Sequence, residues 1–186
     1  MTDPIDTIHL ENAVGSASID QELDLEQLAK DLPNSEFTPD QFPGLLYRTS
    51  EPRATNLVFR SGKIVITGAT QLEELDRSIA ILLDDLSTLG IPVPAEPDVT
   101  VQNIVSSADL GESLNLNAIA IGLGLESIEY EPEQFPGLVY RLDDPPVVVL
   151  LFGSGKVVVT GATTLADVET AVSSVAETLH DLGMVG

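Results

Sequence analysis

Apolar residues recur along this chain with two different periods, and each pattern occurs twice. Leu72, Leu75, Ile79, Leu82, Leu86 and Leu89 are spaced alternately by three and four, and Leu165, Val168, Val172, Val175, Leu179 and Leu182 repeat the stripe. Each predicts a long amphipathic helix. Thr70 with Glu73 predicts a capping box for the first, which Gly90 and Pro92 stop, and Gly183 ends the second. Shorter helices are predicted after Asp24, which with Gln27 suggests a capping box before Leu25, Leu28 and Leu32, and after Asn115, before Leu116, Ile119 and Ile121. The other runs read as strands: Ile8 to Ser16, Leu45 to Arg48, Asn56 to Phe59 and Lys63 to Thr67, then Val99 to Ser107, Leu138 to Leu142, Val147 to Phe152 and Lys156 to Thr160. Ser61-Gly62 and Ser154-Gly155 supply turns between the last two strands of each set.

The duplication is a true repeat. Glu36–Thr70 aligns with Glu129–Thr163 without a gap, at an offset of 93, with 20 identities in 35 positions. The predicted organisation is a first repeat over residues 8–90, a proline-rich linker over 91–98 and a second repeat over 99–183. Halves of about 90 residues bury only a thin core, so a continuous sheet through both, in one domain, is expected.

The strands depart from the usual apolar and polar alternation of a sheet with helices on one side. Leu57, Phe59, Val65, Leu150, Phe152 and Val158 would all lie on the face away from the helices. On pattern alone that face calls for a second buried layer or a dimer. The cations Arg48, Lys63, Arg141 and Lys156 border it, however, and Thr67 and Thr160 lie on it. Phenylalanines rimmed by cations suit a duplex minor groove, where apolar wedges unstack base steps while Lys and Arg hold phosphates.

Net charge first argues against nucleic acid, because it is −22. Its distribution reverses that reading. Gln41–Thr70 holds four basic residues and one acid, and Gln134–Thr163 holds two of each, which leaves −25 for the rest of the chain. Few lysines, many acids and a pI of about 4.1 keep a protein hydrated in molar salt, where charge repulsion is screened within about 3 Å. A halophile's cytoplasm is the expected setting, against the alternative of an acidic protein that binds cations or basic partners.

Catalytic and cofactor chemistry finds no support. Without cysteine there are no disulfides or thiolate metal sites, and His9 and His180 read as separate surface histidines. The Gly153–Lys156 run lacks the glycine of a phosphate-binding loop, where Leu150 stands, and the Ser or Thr, where Val157 stands. Gly122 and Gly124 begin a dinucleotide pattern that fails at Ser127. No enzyme activity, metal or cofactor is expected. MTDPIDTIHL lacks the basic start of a signal peptide, and the longest apolar run, Val147 to Phe152, is far short of a membrane span.

Taken together, the doubled EPEQFPGLVYR, the F-x-SGK-x-V-x-TGA segments and the paired N-x-V strands resemble the TATA-binding protein family in its archaeal form, over about residues 8 to 183. The resemblance implies an α+β saddle, a curved ten-stranded antiparallel sheet with four helices on its convex side, that sits on the minor groove of A/T-rich promoter DNA. It implies that Phe42, Phe59, Phe135 and Phe152 intercalate. It makes Asn12, Asn103, Thr67 and Thr160 the central hydrogen-bonding residues, and Val14, Val65, Val105, Val158, Leu57 and Leu150 the apolar base contacts. Arg48, Lys63, Arg141 and Lys156 would meet phosphates, and Glu131, Glu133 and Gln134 would dock transcription factor B, which brings RNA polymerase. A homodimer in the absence of DNA is a further expectation, and an acidic protein-binding scaffold of the same fold is the alternative. The chain departs from the family where Thr70, Thr163 and Pro146 replace common lysines. In molar salt counterion release contributes little, so apolar burial and groove shape would carry more of the affinity.

Overall fold

The structure is a computed structural model that describes residues 2–186. A short 3-10 turn, Pro4–Thr7, precedes strands β1 (His9–Ser18), β2 (Ser35–Glu36), β3 (Leu45–Ser50), β4 (Arg53–Val58) and β5 (Lys63–Ala69), with helix α1 (Leu25–Asp31) between β1 and β2. Helix α2 (Leu72–Thr88) closes this series. The second series is β6 (Thr100–Asp109), α3 (Leu116–Leu123), β7 (Ile128–Glu129), β8 (Leu138–Arg141), β9 (Val148–Leu151), β10 (Lys156–Ala162) and α4 (Leu165–Asp181). The ten strands form one sheet in the order β2-β3-β4-β5-β1-β6-β10-β9-β8-β7. No helix of the described residues is long and apolar enough to cross a membrane.

The chain forms two compact units. The first is Asn12–Gln102, and the second combines residues up to Glu11 with Asn103–Gly186, so the boundaries fall inside β1 and β6. Within the first unit α2 packs on β3, β4 and β5. Leu75, Ile79, Leu82 and Leu86 from the helix meet Leu45, Val58, Ile64 and Ile66 from the strands, all buried. In the second unit α4 packs on β10 and buries Val168, Val172, Val175 and Leu179, while Val149, Leu151, Val157 and Val159 are the buried residues of the strands.

The turns explain the hairpins. Gly62 and Gly155 have φ of +90° and +94°. A Cβ at either would lie 2.4 Å from the Gln21 carbonyl oxygen or 2.2 Å from that of Glu112. Only glycine fits, because both the backbone angle and the neighbouring backbone exclude a side chain.

Several sequence expectations need correction. Helix α2 starts at Leu72 with Gln71 at its N-cap, so Thr70 lies outside it and pairs with Glu74, not Glu73: its hydroxyl donates to Glu74 Oε1 at 3.0 Å. At the equivalent place in α4, Thr164 is the N-cap and its hydroxyl accepts from the Asp167 N–H. Asp24 caps α1 as expected, but the Gln27 side chain turns forward to Asp31 and leaves the box half made. Ile121 does not join the core: it is 85% exposed, because no element of its unit covers that side of α3. The two-residue strands β2 and β7 are too short for a periodic signal and appear only in the structure.

The two cores are built differently at equivalent positions. In the first unit buried Ser78 of α2 receives the Asn56 Nδ2–H at 2.9 Å and lies 3.1 Å from Thr49 Oγ1, while Tyr47 donates to Asp85. Burial first, and then Asp85, raises the Tyr47 pKa well above the usual tyrosine value. In the second unit Leu142, Val149 and Ala171 replace Thr49, Asn56 and Ser78. Ser78→Ala alone should therefore cost about 1–3 kcal/mol, because it strands a buried amide. The triple change Thr49→Leu, Asn56→Val, Ser78→Ala should recover most of that loss, as read from urea denaturation midpoints in KCl.

Candidate nucleic-acid interface

Strand alternation divides each unit's sheet into two faces. In β5, Ile64 and Ile66 are buried under α2 while Val65 and Thr67 are half-buried on the opposite side, and Val157, Val159, Val158 and Thr160 repeat this in β10. Pairing sets the outer residues in rows. Leu46 pairs with Leu57, Leu57 with Val65 and Val65 with Ser16. In the second unit Val139 pairs with Leu150, Leu150 with Val158 and Val158 with Ser107. The next row is Arg48, Thr55, Thr67 in one unit and Arg141, Val148, Thr160 in the other. Of the residues singled out from sequence, Val14, Leu57, Val65, Val105, Leu150 and Val158 are all half-buried and take the outer alternation. Leu46 and Val139 belong to the same rows and were missed, although their alternation with buried Leu45, Tyr47 and Leu138 marks them.

At one end of each face lies a pair of aromatic rings. Phe42 and Phe59 meet edge to face at 5.8 Å, and Phe135 and Phe152 at 5.9 Å. Phe42 and Phe135 are 36% and 40% exposed. Both come from the turn before the following strand, where the Phe42 and Phe135 N–H groups donate to the carbonyls of Thr38 and Glu131. The glycine after each turn makes the pair fit. A Cβ on Gly44 would stand 2.7 Å from Phe42 and 3.1 Å from Phe59, and one on Gly137 would stand 2.7 Å from Phe135 and 3.0 Å from Phe152. Glycine is required here by the rings, not by backbone angles.

The asparagines are held by a bulge. Two steps of β1, from Ala13 to Gly15, are matched to three steps of β5, from Ile66 to Ala69, and β6 and β10 show the same shift. The inserted Gly68 and Gly161 have φ of +90° and +95°. Their N–H groups turn out of the ladder and donate to Asn12 Oδ1 at 2.9 Å and Asn103 Oδ1 at 2.6 Å. A backbone N–H can face only the amide oxygen, so the NH2 of each asparagine is the end left for a ligand. In Asn103 that NH2 also reaches Thr160 Oγ1 at 3.5 Å.

The charged candidates sit on the surface. Lys63 and Lys156 are exposed beside the tight turns, while Arg48 lies 3.4 Å from Glu36 and Arg141 3.8 Å from Glu129. Such exposed pairs are worth at most about 1 kcal/mol and leave the arginines available. Glu131, Glu133 and Gln134 are exposed in the turn between β7 and β8, which the Gln134 N–H closes onto the Glu131 carbonyl at 2.9 Å. His9 and His180 are exposed, and no group of acids, histidines or cysteines among the described residues is arranged to hold a metal ion.

The comparisons agree on one family. The model of transcription factor TFIID, or TATA-binding protein, matches residues 7–89 and 98–182. The chain is 60% identical over 186 residues to TATA-box-binding protein 2 of Haloferax volcanii, with all of both chains covered. It is 60% identical over 185 residues to the TATA-box-binding protein of Haloarcula marismortui, again over the full length of both. Among solved structures it is similar to Methanococcus jannaschii TBP, at 48% identity and a TM-score of 0.86, covering 94% of this chain and 99% of that one.

Gly137→Ala should force the Phe135 and Phe152 rings apart, at a stability cost of about 1–3 kcal/mol. Loss of ring-to-ring nuclear Overhauser contacts would report it, and adding Phe135→Leu, which removes the clashing ring edge, should restore the stability but not the aromatic contact.

Proposed function

Because the chain belongs to the TATA-binding protein family of DNA-binding transcription factors, we propose that its two outer sheet faces bind the minor groove of double-stranded A/T-rich promoter DNA and kink it. Residues 8–90 and 99–183 then act as two copies of one half-site module joined by residues 91–98. The observation that carries the reading is the fixed direction of the Asn12 and Asn103 amides, each with its oxygen tied to a bulge glycine on a face of apolar side chains.

That direction selects bases. In the minor groove A·T and T·A pairs present only acceptors, whereas G·C adds the guanine amino donor. An outward NH2 donates to adenine N3 or thymine O2 and meets a second donor at guanine. Thr67 and Thr160 lie on the same faces, and their hydroxyls donate or accept as needed. Val14, Leu57, Val65, Val105, Leu150 and Val158 bury against the groove floor, which every A·T pair tolerates. The reading is therefore for A/T content and deformability more than for one sequence.

Phe42, Phe59, Phe135 and Phe152 are the wedges. Unstacking a base step costs a few kcal/mol, offset by apolar burial of the rings and by the wider contact that a bent duplex allows. Arg48, Lys63, Arg141 and Lys156 hold phosphates at the rims. Glu131, Glu133 and Gln134 offer a compact acidic turn for transcription factor B, which then brings RNA polymerase to the bent site. The rows of apolar side chains also favour pairing of two copies when DNA is absent.

A mobility shift of A/T-rich against G/C-rich duplex across a range of KCl tests the reading. A preference for A/T at some salt supports it; equal or absent binding at every salt leaves a protein-binding scaffold. Phe135→Ala and Phe152→Ala should each abolish or sharply reduce bending, measured by fluorescence transfer between the ends of a TATA duplex, with the circular dichroism spectrum unchanged. Full bending in both variants would refute intercalation.

A further inference from the structure

The two units differ where their outer faces end. In the first, Arg53 opens β4 on the same alternation as Thr55 and Leu57, while Arg60 and Lys63 flank the Ser61-Gly62 turn at the far end of that strand. Arg53 and Arg60 are seven positions apart along nearly extended chain, which separates them by about 20 Å. Cations thus stand at both rims of the first face. In the second unit the equivalent positions hold Pro146 and Gly153, and the loop before Pro146 carries Asp143 and Asp144 where the first has Ser50 and Glu51. Among the described residues Arg53, Arg60, Lys63 and Lys156 have no acid within ion-pair distance, whereas Arg48 and Arg141 do. That leaves three unpaired cations on two rims of the first unit and one, Lys156, on a single rim of the second.

We infer that Arg53 and Arg60 are further phosphate-binding residues, and that they make the first unit the stronger electrostatic grip on DNA, while the second, with Arg141 and Lys156 alone, depends more on apolar contact. The inference rests on the minor-groove reading above. Phosphate contacts position a protein without reading bases. The first unit is therefore anchored more by a force that weakens with salt than the second is. Each neutralised phosphate contributes about 0.9 to the slope of log affinity against log salt.

The slope can be measured by fluorescence anisotropy of an A/T-rich duplex over a series of KCl concentrations. Arg53→Gln with Arg60→Gln should lower its magnitude by about two. Pro146→Arg with Gly153→Arg should raise it by a similar amount; both positions are exposed, and a Cβ at Gly153 finds no atom closer than 3.8 Å. Arg77→Gln, on an exposed position of α2, should leave it unchanged. A wild-type slope in the Arg53/Arg60 variant, or an equal fall in Arg77→Gln, would overturn the inference while the minor-groove reading stands. Failure of the unaltered protein to bind the duplex at any salt would overturn both. Should the glutamine variant not fold, a slope unchanged by the two added arginines would suffice to overturn it.

Discussion

Each unit is a single layer of sheet with helices on one side, and the alternation of a strand then dictates that half its side chains have no cover within the unit. In most such sheets those side chains are polar. Here they are Leu46, Leu57 and Val65 in one unit and Val139, Leu150 and Val158 in the other, aligned in rows by the hydrogen-bond register. Burial of apolar area is worth about 25 cal/mol per Å² and does not depend on long-range charge. In the proposed binding mode a protein with a charge of −22 would thus keep a means of holding a polyanion that survives molar salt. The same geometry sets the kind of recognition available: a broad apolar face suits a broad ligand.

On that face the polar and aromatic groups are held before any ligand arrives. The bulges at Gly68 and Gly161 fix the asparagine amides, and Gly44 and Gly137 let two rings pack where any larger residue would separate them. Groups already ordered lose little further conformational freedom on binding, so more of their interaction energy appears as affinity. If the phenylalanines act as the proposed wedges, rigidity matters most for them, because a wedge that swung aside would not unstack a base step.

Much of this was legible in the sequence, and the omissions have physical causes. The helices α2 and α4, the long strands and the Ser-Gly turns announce themselves because periodicity and glycine chemistry are local. The four phenylalanines and two asparagines were found through the duplicated motifs that carry the resemblance, since spacing alone does not bring Phe42 beside Phe59. Gly44 and Gly137 were passed over: their φ is ordinary, and the constraint comes from rings two and fifteen positions away. The Thr70 cap was misplaced because both Glu73 and Glu74 follow it, and only the start of α2 at Leu72 decides between them. The strands β2 and β7 exist through pairing with β3 and β8, a tertiary cause with no signature in two residues.

Comparison of the two units with each other separates what packing requires from what the outer face requires. Packing has tolerated wide change: Thr49, Asn56 and Ser78 form a buried polar cluster whose equivalents, Leu142, Val149 and Ala171, are apolar. A core accepts such exchanges when a whole cluster changes together, because no polar atom is then left without a partner. The rims have changed too, from Arg53 and Arg60 to Pro146 and Gly153. On the outer faces the flanking Leu46 and Thr55 change, to Val139 and Val148, while Asn12 matches Asn103, Val14 matches Val105, Leu57 matches Leu150, Val65 matches Val158, Thr67 matches Thr160, and each phenylalanine has its counterpart. Stability of the fold does not demand that identity, since these side chains are only half-buried. The proposed ligand would account for it, since a run of A·T pairs, whose groove looks nearly the same from either strand, offers the same chemistry to both units.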